Sequence, residues 1–284
     1  MYIQFCLYDD VNLITRKGTR FTQILIKGYE NMNPVTVRNI KIGEGRPKIC
    51  VPIVGTSKEA IINEAKTFSS LPVDVVEWRV DWFDDVFDTV KVVDTAKELR
   101  EVLGNTPILF TFRTSKEGGE KEITPVEYAN LNITVAQSGY VDLIDVEAFT
   151  GDVIVTQIIE KAHAYGVKII ASNHDFHKTP AKDEIVRRLC KMQELGADIP
   201  KIAVMPQNKQ DVLNLLSATL EMSEQHGDTP IITMSMSGTG VVSRLGGESF
   251  GSAITFGAAS KASAPGQIGV KELEKVLSII HQSL

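Results

Sequence analysis

The chain has 284 residues, 43% hydrophobic and 23% charged, with a formal net charge of −6 and a sequence pI near 5.5. This is the composition of a folded globular chain long enough to bury a large core, and its negative balance argues against a nucleic-acid or anionic-membrane surface. No apolar run reaches the roughly 20 residues of a membrane span, and three scattered cysteines (Cys6, Cys50, Cys190) without a CxxC pair argue against a disulfide framework or zinc site and fit a reducing cytoplasm.

Residues 1–31 mix apolar and charged side chains with neither period clear, and they lack the charged start, apolar core and cleavage site of a signal peptide. Met32 reads as a second start. Residues 1–31 are therefore expected to be a leader or upstream extension outside the fold, and residues 32–284 a single domain. "TVRNIKIGEG" (36–45) alternates apolar and polar residues and predicts a short strand or hairpin outside the main sheet.

A regular rhythm follows. The β-branched runs are "KICVPIV" (48–54), "VDVVEWRV" (73–80), "PILFTFR" (107–113), "VDLIDVE" (141–147), "VKIIAS" (167–172), "KIAVMP" (201–206), "IITMSM" (231–236) and "SAITFG" (252–257). Amphipathic stretches lie between them. "SKEAIINEAKTF" (57–68) opens on Ser57 as an N-cap. "TPVEYANLNITVAQSG" (124–139) has Thr124 as cap, Pro125 at the first helical position and Gly139 as stop. "TPAKDEIVRRLCKMQELG" (179–196) shows the same grammar with Thr179, Pro180 and Gly196, and "GVKELEKVLSIIHQSL" (269–284) closes the chain. Eight such units in about 250 residues predict an α/β fold, a (β/α)8 TIM barrel. The alternative, an open doubly wound sheet, calls for a Gly-rich turn after the first strand, and "VGTSKEA" lacks GxGxxG.

Charged and polar residues collect at the carboxyl ends of these runs: Glu77, Arg79 and Asp81; Arg113 and Glu117; Asp145 and Glu147; Asn173, His174 and Asp175. That is the face on which an α/β barrel builds its active site. Lys201 stands at the head of an apolar run. It either snorkels to solvent or points into the barrel, where lost hydration and nearby arginines favour the neutral amine, a nucleophile for carbonyl carbon. His174 and His177 are acid–base candidates; His177 reads better as a polar loop residue, and HxxH has no third ligand at a recognisable metal spacing. The small-residue stretch 240–269 carries Arg244, Ser263 and Gln267, and reads either as a surface loop or as an anion site with an arginine fork. Cys50 and Cys190 read as buried, inert thiols.

"EWRVD" (77–81), "LFTFR" (109–113) with "EGGE" (117–120), "SNHDFHKTP" (172–180), "MQELGADIPKIAVMP" (192–206), "ITMSMSGTGVVSRLGGE" (232–248) and "SAPGQI" (263–268) together resemble the type I 3-dehydroquinate dehydratases. The likeness runs from about Val35 to the C-terminus. It implies a metal- and cofactor-free (β/α)8 barrel, cytoplasmic and homodimeric, that binds the small molecule 3-dehydroquinate and removes water from it in aromatic amino-acid biosynthesis. It implies that Lys201 forms an imine, that His174 moves the protons, and that Glu117 orients His174. Arg244, Ser263 and Gln267 would hold the substrate carboxylate, while Glu77, Arg79 and Arg113 bind ring hydroxyls or brace the pocket. Pro52 departs from the pattern, since some members carry a serine there. Two other readings remain: a Schiff-base aldolase barrel acting on a sugar phosphate, and a non-catalytic metabolite binder.

Overall fold

The computed structural model describes residues 33–259 and 264–284. The leader reading for residues 1–31 and the placement of Cys6 and Ser263 lie outside these residues.

The expected hairpin is present. β1 (Val35–Val37) and β2 (Ile40–Ile42) pair antiparallel, with Val35 opposite Ile42 and the turn made by Arg38 at φ +51. Val35, Val37 and Ile42 are buried against residues at the strand starts, among them Val75, Leu143, Ile199, Ile232 and Ile254. The hairpin thus closes the amino-terminal mouth of the barrel. Arg38 ties it there through Asp142 (2.5 Å), which Arg100 also grips.

All eight runs form strands. β3 (Lys48–Ile53), β4 (Val75–Arg79), β5 (Ile108–Thr111), β6 (Leu143–Glu147), β7 (Lys168–Asp175), β8 (Ile199–Val204) and β9 (Ile232–Ser235) pair in sequence order, each parallel to the next. β10 (Ile254–Ala258) pairs with β3 on its other side, and an Ile231–Ser252 bridge brings β9 to β10, closing the ring. A two-residue β11 (Ile268–Gly269) lies beside β10 and had no signal in the sequence. Strands covered on both faces need apolar side chains throughout, which is why these runs read as nearly continuous β-branched stretches.

The helices are α1 (Lys58–Thr67), α2 (Thr89–Leu103), α3 (Pro125–Ser138), α4 (Asp152–Ala164), α5 (Lys182–Glu194), α6 (Lys209–Glu221), the short α7 (Val241–Leu245) and α8 (Gly247–Phe250), and α9 (Val270–His281). Ser57 caps α1 by accepting from Ala60 N. Thr124 and Glu127 form a reciprocal capping box on α3, which Gly139 ends at φ +74. One expectation is corrected: Thr179 does not cap α5. Its hydroxyl donates to the Met205 carbonyl at 3.0 Å, tying the loop after β7 to the loop after β8, so Pro180 stays outside and α5 starts at Lys182. No helix among the described residues is long and apolar enough to cross a membrane.

Candidate active site

The carboxyl ends of the strands surround a cleft of about 490 Å3. Glu77 and Arg79 on β4, Arg113 and Glu117 after β5, His174 on β7, Lys201 on β8, Arg244 on α7 and Gln267 before β11 all line it; Met234, Met236 and Phe256 supply apolar wall. Every described residue to which the family resemblance gave a role is therefore in one place. His177 is not: it sits in an exposed loop, with its backbone N–H on Asp175.

Lys201 points inward and is 3% exposed. Its Nζ donates to Asp145 Oδ2 at 3.0 Å, stands 4.0 Å from Glu77 Oε1, and lies 4.6 Å from the centre of the Phe256 ring. The sequence places Asp145 among the strand-end residues but gives it no role beside Lys201. The signal was there: in "LIDVE" Leu143 and Asp145 share one strand face, and Leu143 lies in the barrel interior. Burial alone would raise the Asp145 carboxyl, but Arg113, Lys201 and the Ser172 hydroxyl hold it well below the usual carboxylate range.

Two of the three arginines are committed to protein carboxylates. Arg79 forks onto Asp81 with two bonds of 2.8 Å. Arg113 reaches Asp145 (2.7 Å), Glu147 (3.1 Å) and the Ser172 hydroxyl (2.9 Å).

Arg244 differs. It is 2% exposed, donates to the Pro265 carbonyl (3.1 Å) and to the Met234 sulfur (3.6 Å), and leaves Nε without a partner. Among the described residues it forms no ion pair, and burial draws its guanidinium down to about 10. A buried cation with no ion pair among the described residues, beside Gln267 in the cleft, has the chemistry to take an anion.

His174 and Glu117 form a dyad. Glu117 Oε2 accepts the His174 backbone N–H and faces Nδ1, each at 2.9 Å, while Oε1 accepts Asn173 Nδ2 at 3.1 Å. A carboxylate facing Nδ1 fixes the proton there and leaves Nε2 as the base. Burial, then Arg113 and Lys201, push His174 well below the ordinary histidine value, so it is neutral near pH 7. Burial pushes Glu117 up to about 7 against the pull of Arg113. The two glycines of "EGGE" explain how Glu117 is held. Gly118 turns back at φ +84, and a Cβ on Gly119 would stand 1.8 Å from the Arg113 carbonyl oxygen.

The type I 3-dehydroquinase family model matches residues 49–284. The chain belongs to the type I 3-dehydroquinase family. A 3-dehydroquinate dehydratase from Clostridioides difficile is 58% identical over 250 residues, 88% of this chain and 98% of that protein. One from Salmonella typhimurium is 56% identical, covering 89% of this chain and all of that protein. The crystal structure of the C. difficile type I enzyme with covalently modified comenic acid is 57% identical and has a TM-score of 0.87, over 89% of this chain and 100% of that one. A 3-hexulose-6-phosphate synthase at 15% identity and TM-score 0.55 shares the fold alone.

In this type I 3-dehydroquinase, Pro52 sits at the register position of Glu77 on β4. The pairing of β3 with β10 ends two residues before it, at Cys50, which fits a proline that has no N–H to donate.

Proposed function

We propose that the chain dehydrates 3-dehydroquinate to 3-dehydroshikimate through an imine on Lys201. The observation that carries this reading is a buried lysine sharing one cleft with a histidine–carboxylate dyad and a buried arginine that has no ion pair among the described residues.

The amine of Lys201 adds to the ring ketone, and the carbinolamine takes up a proton from solvent and loses water to give an iminium. Nε2 of His174 takes the proton from the adjacent carbon, and that bond's electrons move to the iminium nitrogen as an enamine. The enamine pushes out the hydroxyl one carbon further on, which takes the proton back from His174 and departs as water. Hydrolysis of the conjugated iminium releases the enone and frees Lys201. Hydroxide leaves poorly without an acid, so one histidine serving both steps contributes about 10²–10⁴-fold. Asp145 stays beside Nζ as counter-ion to the iminium. Arg244, Ser263 and Gln267 take the carboxylate, and Glu77 with the tethered Arg79 and Arg113 shapes the hydroxyl-binding wall.

Arg244 favours this reading over an aldolase barrel, because a single fork beside an amide suits a carboxylate. We further propose a cytoplasmic homodimer with no metal, cofactor or nucleic acid; sedimentation velocity tests the assembly. The chemistry is tested by mixing the protein with 3-dehydroquinate, reducing with borohydride and reading the modified peptide. An adduct on Lys201 together with enone absorbance supports the reading. No adduct in a folded protein that still turns over points to another mechanism, and neither adduct nor turnover points to a binder.

A further inference from the structure

A chain of side chains outside the assigned set runs from α5 into the dyad. Arg188 on α5 donates Nη1–H to Asn173 Oδ1 at 2.9 Å. Asn173, next to His174 on β7, donates Nδ2–H to Glu117 Oε1 at 3.1 Å. Arg188 is itself held, with Nε on Glu184 Oε1 at 2.7 Å and its guanidinium 5.9 Å from the centre of the Phe149 ring.

A guanidinium can only donate, so the Asn173 oxygen must face Arg188 and its amide N–H must face Glu117. Rotated the other way, the amide would set oxygen against carboxylate oxygen and N–H against N–H. Glu117 and His174 face each other at 2.9 Å; the other charged groups facing Glu117 include Arg113, Asp145 and Glu147, and those facing His174 include Arg113, Lys201, Asp145 and Arg79. Asn173 is neutral, and the sign of its effect on Glu117 depends on which end of its amide is presented. We propose that Asn173, oriented by Arg188, is a positioning residue that fixes Glu117 as the proton-free partner of His174 during dehydration; this rests on the function proposed above.

The test compares Asn173→Leu, Arg188→Met and the double variant with the wild type, reading kcat and KM for 3-dehydroquinate across pH and the melting temperature of each. Asn173→Leu is expected to lower kcat by about 10- to 100-fold, as for a lost hydrogen bond to a charged group. KM should stay within about twofold, since ground-state binding is untouched. The acid limb of the rate profile should move to higher pH, because a carboxylate without its donor keeps its proton longer. Arg188→Met should move the limb the same way with a smaller loss. The double variant should be no slower than Asn173→Leu, because Arg188 acts through Asn173. Unchanged kcat, an additive double variant, or a loss that follows melting temperature with an unmoved limb each overturns the proposal. If Asn173→Leu does not fold, Arg188→Met decides by the presence or absence of the limb shift. A wild type without turnover brings down the functional reading and this inference together; a wild type with normal turnover and unmoved variants brings down this inference alone.

Discussion

Lys201 Nζ and Asp145 Oδ2 stand 3.0 Å apart, with the two residues 3% and 0% exposed. The other Asp145 oxygen is held by Arg113 and the Ser172 hydroxyl. The proposed nucleophile therefore has a fixed negative neighbour. That neighbour favours the cation of the proposed iminium. Asp145→Asn should lower kcat by about 10²-fold, the scale of one lost preorganised electrostatic contact. It should also lower stability by about 3–5 kcal/mol, because Arg113 and Lys201 lose a buried partner. Steady-state kinetics and denaturant titration check both; an unchanged kcat removes Asp145 from the mechanism.

The two main actors separate in a trapping experiment. Lys201→Ala should give no borohydride adduct and almost no turnover. His174→Ala should keep the adduct while losing about 10²–10⁴-fold in kcat, since the imine forms but is not drained by proton transfer. Near-normal kcat in Lys201→Ala would sink the covalent route.

Arg244 predicts a trade between stability and binding. Its buried guanidinium has no ion pair among the described residues and an Nε without a hydrogen-bond partner, which disfavours the empty fold. Arg244→Met should raise KM by about 10- to 100-fold while the melting temperature holds or rises. A melting temperature that falls with unchanged KM would make Arg244 a structural residue.

Glu117 gives a signed pH dependence. Burial raises its carboxyl from 4.5 to about 7, so the native state holds this proton more tightly than the unfolded chain. Its contribution is full below 4.5 and is lost as pH rises to about 7. Glu117→Gln lacks this loss, so its melting temperature should gain on the wild type between those values. His174, depressed by burial, acts with the opposite sign, losing stability as pH falls through 6.5, and it is present in both proteins. Thermal scans at both ends of the window check the gap; a gap that narrows toward pH 7 contradicts the assignment.

Removal of residues 1–31 tests the leader reading. The hairpin that closes the barrel starts at Val35, so the truncated chain should keep its melting temperature and kcat. A large fall in either would place those residues in the working protein.

The sequence by itself determined the architecture. Eight β-branched runs with helix grammar between them, such as Thr124-Pro125 and Gly139, specify strands and caps through local backbone preferences. The residues that resemble a known family, Lys201, His174 and Glu117 foremost, also named the candidates for the proposed chemistry before any coordinates. Only the tertiary structure decided the partners. Asp145 is 56 residues from Lys201, and a carboxylate at a strand end reads the same in sequence whether it meets water or a buried lysine. Thr179 has the right neighbours to cap a helix, yet its hydroxyl goes to Met205, 26 residues away. Arg79 and Arg113 looked like free cations until the barrel closed and set them against Asp81, Asp145 and Glu147. Which charge stays without an ion pair among the described residues is a property of ring closure, because closure alone brings the ends of distant strands within hydrogen-bonding reach.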